Sequence, residues 1–187
     1  MENINMKKVL VPLAPGFEEI ETITVVDILR RSGARVTLAG TIEGPIEGSR
    51  GVRVLPDEPL NNVLSDELDL VVLPGGQPGT DNLKNNPRIS SILVEMKQGK
   101  KLIAAICAAP VILEKNGLLN NRNRTSHPSV KEGLTGSLYL EDRVVVDGNI
   151  ITSRAPGTAM EFSLTLVEIL FGKDRVDTVN KGVMAKI

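Results

Sequence analysis

The sequence predicts an α/β protein: a three-layer α/β/α sandwich with a flavodoxin-like, mostly parallel sheet and a nucleophile elbow. Short apolar runs typical of buried strands alternate with segments of helical periodicity. Glycine and proline follow the apolar runs and mark their ends. The run over residues 102–106 leads through Cys107 into a helix that Pro110 opens, because proline is tolerated in the first turn of a helix.

The first part of the chain predicts a β-α-β unit, which implies parallel strands and a right-handed crossover. Residues 41–59 are rich in glycine and proline, so we expect a hairpin or edge strands there. The predicted elements in order are a strand at 8–14, a helix at 18–31, a strand at 34–39, the excursion at 41–59, a strand at 69–74, a helix at 87–98, the strand at 102–106 and the helix from Pro110.

The last third predicts strands and two helices after a polar loop. The dipeptide Asp147-Gly148 is a hairpin turn signal between two apolar runs. The predicted elements are strands at 138–140, 143–146 and 150–152, a helix at 158–171 and a final helix at 174–184.

Length and composition bound the possible functions. We interpret residues 1–187 as one domain, since 187 residues suffice for one core and the sequence contains no linker or internal repeat. A net charge of −1, three Phe, one Tyr and no Trp argue against nucleic acid as a partner. The pair Arg122 and Arg124 is interpreted as part of a solvated loop.

One cysteine and one histidine exclude an intrachain disulfide and leave no cluster for zinc. The alternative is a metal site made of carboxylates alone, but no motif indicates one, so we expect no metal and no cofactor. The first apolar run is short and is broken by Pro12 and Pro15, so it is interpreted as a strand and not as a signal peptide or membrane span. These features predict a cytoplasmic protein that does not enter a membrane.

Cys107 is the candidate nucleophile. A thiol at the start of a helix faces unpaired N–H groups and the positive end of the helix dipole, which favours the thiolate. The position also lies beyond the carboxyl end of a strand, where open α/β sheets bind ligands. The alternative is a small buried apolar residue.

Loops at Gly16, Gly76, Cys107 and His127 all leave predicted carboxyl ends of strands, so they could converge at one mouth of the sheet. We expect Gly75, Gly76 and the N–H of Ala108 to form an oxyanion or substrate pocket beside the thiol. The alternative for the two glycines is a tight turn that requires positive φ.

Four further side chains are candidates for proton transfer or for a supporting role. Glu21 lies on an apolar stripe of the first helix, where burial would raise its pKa, although Glu18 shares this spacing and has an alternative role as a helix dipole partner. His127 is the sole histidine, with a surface loop as the alternative. Arg50 could hold an anion, pair with an acid near the site, or be an exposed turn residue.

Several motifs together resemble the ThiJ/PfpI superfamily, and within it the branch of the parkinsonism-associated protein and its bacterial relatives. The resemblance covers nearly the whole chain in one register. The matching segments are APGFEEIE at 14–21, VDILRRSG at 26–33, GSR at 48–50, VVLPGG at 71–76, LIAAICAAP at 102–110 and TSRAPGT at 152–158.

The resemblance implies a flavodoxin-like homodimer with an elbow cysteine at Cys107, a protonated glutamate partner at Glu21 and a functional histidine at His127. It also assigns oxyanion-type amides to Gly76 and Ala108. Members are described as cofactor-independent glyoxalases that convert methylglyoxal to lactate, as deglycases, as oxidative-stress sensors whose cysteine becomes a sulfinic acid, and as chaperones.

The function expected from the resemblance is a glyoxalase or deglycase acting on methylglyoxal-like 2-oxoaldehydes through Cys107. The alternative is a redox-sensing or chaperone-like stress protein with the same cysteine. A cysteine amidase or peptidase ranks third, because the protease-like members carry histidine directly after the cysteine, where this chain has Ala108.

Overall fold

The computed structural model describes residues 6–135 and 138–185. Within these residues, seven strands form one sheet in the order β5-β2-β1-β6-β7-β9-β8, and a two-stranded hairpin lies apart from it. Every neighbouring pair of the sheet is parallel except β8 with β9. The strands are β1 (Lys8–Leu13), β2 (Arg35–Gly40), β3 (Ile46–Glu47), β4 (Arg53–Val54), β5 (Glu58–Pro59), β6 (Leu70–Leu73), β7 (Leu102–Ile106), β8 (Val144–Asp147) and β9 (Ile150–Ser153).

Helices cover both faces of the sheet. They are α1 (Glu19–Arg31), α2 (Gly79–Lys84), α3 (Pro87–Gln98), α4 (Pro110–Lys115), α5 (Ala159–Phe171) and α6 (Lys173–Val183). The apolar faces of α1, α5 and α6 join one core, whereas those of α2, α3 and α4 join the other. The predicted three-layer α/β/α fold is therefore confirmed.

Successive side chains along a strand pack alternately into the two cores. In β1, Val9, Val11 and Leu13 point into the core under α1, and Leu10 points into the opposite one. Such a strand is buried on both faces, which explains why the sequence shows an unbroken apolar run and not an alternating pattern.

The order of the strands places the functional loops. The chain passes from β1 to β2 on one side, and later enters the sheet again as β6 on the other side of β1. The carboxyl ends of β1, β6 and β7 thus lie side by side at a topological switch point, where open α/β sheets bind ligands.

The structure refines some predicted elements and corrects others. Residues 41–59 contain both alternatives, since β3 and β4 form an antiparallel hairpin and β5 is an edge strand on β2. The strand predicted at residues 138–140 is wrong: there, Tyr139 forms only an isolated bridge with Arg124. The sequence analysis missed α2, a single short helix after Gly76.

The interpretation of Arg124 as a solvated loop residue is also wrong, whereas Arg122 is a partly exposed residue of this loop. Arg124 is only 1% exposed, and its guanidinium donates to the carbonyl of Leu134. Arg122 donates to the carboxylate of Asp147 at 3.0 Å and so joins this loop to the β8–β9 turn. The two charges serve packing within the loop because each has an internal acceptor.

No helix in the described parts of the chain is long and apolar enough to span a bilayer. Nor does any group of three or more His, Cys, Asp or Glu side chains in residues 6–135 and 138–185 lie in a cluster that could hold a metal ion.

Candidate active site

Cys107 joins β7 to α4 at a sharp corner. Its φ is +64°, in the left-handed region that side chains other than glycine rarely adopt. Two backbone hydrogen bonds hold the corner: the N–H of Cys107 donates to Ser153 at 2.9 Å, and its carbonyl accepts from the N–H of His127 at 2.8 Å. The surrounding loops therefore fix the conformation that projects the half-buried thiol from the end of the sheet.

Glu21 is the buried carboxyl group beside this thiol. Its side chain leaves the first turn of α1 and is fully buried. One oxygen, Oε2, accepts from the N–H of Gly75 at 2.8 Å, whereas Oε1 has no nitrogen or oxygen partner among the described residues. Burial raises the pKa of Glu21 to about 7, against the lowering effect of hydrogen bonds from Cys107 and Gly75. The predicted upward shift is confirmed.

The protonation of Cys107 differs from the prediction that its position favours a thiolate. Burial raises the pKa of the Cys107 thiol, and the charge and hydrogen bond of Glu21 raise it further. The N–H groups of Ala108 and Gly76 oppose this shift but do not outweigh it. The helix α4 contains only six residues, so its dipole is weak compared with burial beside a carboxylate. The thiol consequently needs a base to remove its proton, and Glu21 is in contact with it.

Gly75 and Gly76 let three segments approach closely. A Cβ on Gly75 would lie 2.7 Å from both the Cβ of Cys107 and Oε2 of Glu21. Gly76 has φ +90°, and a Cβ there would lie 2.4 Å from the backbone nitrogen of Glu18. The tight-turn alternative is thus correct for Gly76, and it coexists with a place in the site.

The backbone amides of this loop have separate tasks. The N–H groups of Gly76 and Ala108 lie near the sulfur of Cys107 and lower the pKa of its thiol, as expected for donors that face a developing negative charge. The N–H of Gly75 instead donates to Glu21, so Gly75 positions the carboxyl group. Our expectation that Gly75 is an oxyanion donor is therefore wrong.

His127 lies at the site and not on a remote surface loop. Its N–H bond to the carbonyl of Cys107 holds it next to the elbow. The ring nitrogen Nδ1 contacts Ser129 twice, at 3.2 Å from the backbone N and 2.7 Å from Oγ. The ring is half-buried and lines the same pocket as the thiol.

Glu18 and Glu19 organise the start of α1. Glu18 is the N-cap, and its Oε2 accepts from the N–H of Glu21 at 2.7 Å, so it supports the helical turn that carries Glu21. Glu19 is buried, and its Oε1 accepts from the N–H groups of Arg50 at 2.6 Å and Val52 at 3.3 Å. Burial opposes the ionisation of Glu19, but these donors outweigh it and hold its pKa below the usual value.

The sequence analysis missed the role of Glu19, which anchors the hairpin turn next to the site. Arg50, in contrast, has an exposed guanidinium whose single hydrogen bond is a 3.5 Å contact with the carbonyl of Ser49. No carboxylate of the described residues forms an ion pair with it. Arg50 therefore lies at the rim of the pocket with its charge unpaired.

A pocket of about 290 Å³ opens above the thiol. It is lined by Glu18, Ser49, Arg50, Gly76, Gln77, Cys107, Ala108, His127, Ser129 and Pro156. Ser129 is a residue that the sequence analysis missed. A hydroxyl two residues after a histidine is a local pattern that could have indicated it, since such side chains commonly bond nearby groups.

The arrangement combines a thiol, an adjacent carboxyl group and nearby N–H donors, a set of groups that could support covalent catalysis. The fold and the site define a class: an α/β sandwich protein that carries a cysteine at a nucleophile elbow, paired with a buried glutamate.

Comparisons with known proteins place the chain within this class. The model of the DJ-1/PfpI family matches residues 7–169. Protein dj-1beta of Drosophila melanogaster is 47% identical over 181 residues, which cover 95% of this chain and 97% of that protein. The crystal structure of Drosophila melanogaster DJ-1beta has a TM-score of 0.94 at 45% identity and covers 97% of this chain and 100% of that chain.

A further relative is the glutathione-independent glyoxalase DJR-1.2 of Caenorhabditis elegans. It is 39% identical over 178 residues, which cover 94% of this chain and 95% of that protein. The chain belongs to the DJ-1/PfpI family.

Proposed function

We propose that this chain is a cofactor-independent glyoxalase that converts methylglyoxal-like 2-oxoaldehydes into 2-hydroxy acids through Cys107. The observation that carries the proposal is the contact between the thiol and a buried carboxyl group whose pKa lies near 7. Such a group can both take and return a proton at neutral pH. The glyoxalase name of the Caenorhabditis elegans relative supports this reaction ahead of a deglycase reaction.

The first step forms a carbon–sulfur bond. The sulfur of Cys107 attacks the aldehyde carbon while the carboxylate of Glu21 takes the thiol proton. The electron pair of the broken C=O π bond moves to the oxygen, where the N–H groups of Gly76 and Ala108 can stabilise the negative charge. This oxygen then takes a proton, and the product is a hemithioacetal.

The second step moves hydrogen between the two carbons. A base removes the proton from the former aldehyde carbon, and the neighbouring ketone oxygen is protonated, which gives an enediol. Return of a proton to the second carbon and loss of the hydroxyl proton from the first carbon then give a thioester that joins Cys107 to the 2-hydroxy acid. Glu21 is the shuttle for these protons because it lies beside the sulfur. Water cleaves the thioester and releases the acid and the thiol, so the reaction needs no external oxidant or reductant.

The test is turnover of methylglyoxal with detection of lactate, without added thiol and with a chelator present. Wild-type protein should turn over many times, and Cys107→Ser should lose at least about 10²-fold in kcat. Asp177→Asn, which removes an exposed ion pair with Lys173 on α6, is the matched control and should behave as wild type. Equal turnover by Cys107→Ser and wild type would contradict the proposal.

The second candidate function is redox sensing by the same thiol. The observation that favours it is a half-buried sulfur that lines an open pocket and is surrounded by hydrogen-bonding groups. Peroxide would convert the thiol to a sulfenic and then a sulfinic acid, whose oxygens these groups could hold. Absence of methylglyoxal turnover together with selective oxidation of Cys107 under mild peroxide, read by mass spectrometry, would favour the sensor over the enzyme.

We also propose that the chain forms a homodimer, as the resemblance implies, and that it is cytoplasmic, as the lone cysteine predicts. The support is an exposed apolar surface made by α1 and the neighbouring hairpin, since Ile20 is 57% exposed and Val52 is 51% exposed. The two residues lie near each other because the N–H of Val52 binds Glu19. Light scattering should report a dimer for wild type and a monomer, or a weaker dimer, for Ile20→Lys. A wild-type monomer at working concentration would contradict the proposal.

A further inference from the structure

The contacts of the His127 ring with Ser129 carry information about the position of its proton. Nδ1 lies 3.2 Å from the backbone nitrogen of Ser129, whose hydrogen points at it. A backbone N–H can only donate, so Nδ1 must accept and cannot carry a hydrogen itself in this arrangement. The hydroxyl of Ser129, 2.7 Å from Nδ1, can donate to the same nitrogen. A neutral His127 then carries its proton on Nε2.

The other ring nitrogen is the one that remains for a ligand. No described residue forms a hydrogen bond with Nε2, and the ring lines the pocket that contains Cys107. The backbone bond from His127 to the carbonyl of Cys107 keeps the ring beside the elbow. Because Nε2 carries the proton, the group that His127 offers to the pocket is a hydrogen-bond donor and not a base.

We propose that Ser129 is a positioning residue that locks His127 in the Nε2–H tautomer, so that His127 donates a hydrogen bond to the ketone oxygen of the 2-oxoaldehyde. This assignment rests on the proposed function and divides its chemistry between two residues. Glu21 removes and returns protons, while neutral His127 stabilises the negative charge that develops on the ketone oxygen when the enediol forms.

The tautomer can be measured directly because His127 is the only histidine in the chain. Protein labelled with ¹⁵N and free of any histidine tag would be studied at pH 8 by long-range ¹H–¹⁵N correlation of the imidazole ring. The expected spectrum has Nε2 at a protonated shift and Nδ1 at an unprotonated shift. A reversed pattern, or intermediate shifts from two tautomers in exchange, would overturn the proposal.

Ser129→Ala separates the two contacts of Ser129. This variant loses the hydroxyl but keeps the backbone N–H, so the Nε2–H pattern should remain if the backbone contact locks the ring. If the ¹⁵N shifts of the two ring nitrogens become averaged in Ser129→Ala, the hydroxyl is the group that fixes the tautomer. Ser129 is then still the positioning residue. Loss of ring order is checked by the line widths of the same resonances.

The donor role has its own test. Gln can donate through its side-chain amide near the position of Nε2, whereas Leu cannot donate. We expect His127→Gln to keep at least about a tenth of the wild-type kcat/KM for methylglyoxal and His127→Leu to lose about 10²-fold. Equal losses in both variants would overturn the donor role. If wild type itself shows no turnover, the proposed function fails, while the ¹⁵N spectrum still decides the tautomer.

Discussion

Glu21 and Cys107 meet in the buried space between α1 and the elbow, where each side chain changes the pKa of the other. The contact exists because Gly75 lies between them without a side chain and donates its N–H to Glu21 at 2.8 Å. A carboxyl group that is removed from water in this way is costly to ionise. The pair therefore links the proposed catalysis to pH and to the stability of the fold.

The first prediction concerns stability. The pKa of Glu21 is about 7 in the folded protein against 4.5 for the free group, so the folded state binds more protons between these values and loses stability as pH rises. Each unit of difference between the two pKa values corresponds to ~1.4 kcal/mol, so the free energy of unfolding should fall by roughly 3 kcal/mol by pH 8. Glu21→Gln does not titrate, so its stability relative to wild type should improve by about this amount from pH 4 to pH 8. Urea unfolding at both pH values measures the change.

Asp27→Asn is the matched control for this measurement, because Asp27 lies on the same helix, is exposed and forms an ion pair with Arg31. A difference between Glu21→Gln and wild type that does not vary with pH would contradict a raised pKa for Glu21.

The second prediction concerns the pH dependence of turnover. If Glu21 takes the proton of Cys107, kcat/KM for methylglyoxal should rise with pH and level off above an apparent pKa near 7. Glu21→Gln should lower kcat by about 10²-fold or more, since the base is lost. Initial rates across pH 5 to 9 provide the profile. A rate that falls as pH rises through 7 would mean that Glu21 must be protonated at the start of the reaction.

The third prediction concerns the close approach at Gly75. In Gly75→Ala the new Cβ would lie 2.7 Å from the Cβ of Cys107, which forces the elbow and α1 apart. We expect a loss of about 1–3 kcal/mol in the free energy of unfolding together with a loss of turnover. Gly182→Ala is the control: its Cβ would meet nothing within 4 Å, and alanine in α6 should be neutral or stabilising. Equal thermal midpoints for the two variants would argue against the described packing.

The fourth prediction concerns Glu19. Glu19→Ala removes the acceptor of the N–H groups of Arg50 and Val52, so the hairpin turn should loosen at a cost of about 1–3 kcal/mol. The folded-state pKa of Glu19 is lowered, so its stabilisation is present above the unfolded value of 4.5 and is lost as pH falls below it. Urea unfolding and hydrogen exchange at pH 7 and pH 4 measure both effects.

Glu47→Ala is the control for Glu19, because it removes an exposed ion pair with Arg53 in the same hairpin. We expect a change below about 1 kcal/mol for this variant. Faster exchange of the turn amides in Glu47→Ala than in Glu19→Ala would contradict the anchoring role of Glu19.

Much of the fold was predictable because local patterns and tertiary packing agree. The apolar run before Cys107, the proline after it and the turn at Asp147-Gly148 all have the predicted structure. The segment at residues 138–140 is apolar but pairs with Arg124 by a single bridge, so it forms no strand. Hydrophobic periodicity indicates which side chains are buried. It does not indicate whether a second strand lies close enough to form backbone hydrogen bonds with the segment.

The candidate site was also predictable only in part. The sequence by itself determined the elbow at Cys107, its position at the carboxyl end of a buried strand, and the small set of polar residues that could join it. The family resemblance already indicated Glu21. Only the tertiary structure showed the separate contacts of Glu18 and Glu19, the hydrogen bond from Gly75 to Glu21, the raised pKa of the thiol and the contact of His127 Nδ1 with Ser129. The physical reason is that burial, charge and hydrogen bonding between segments far apart in sequence depend on distances that no local pattern contains.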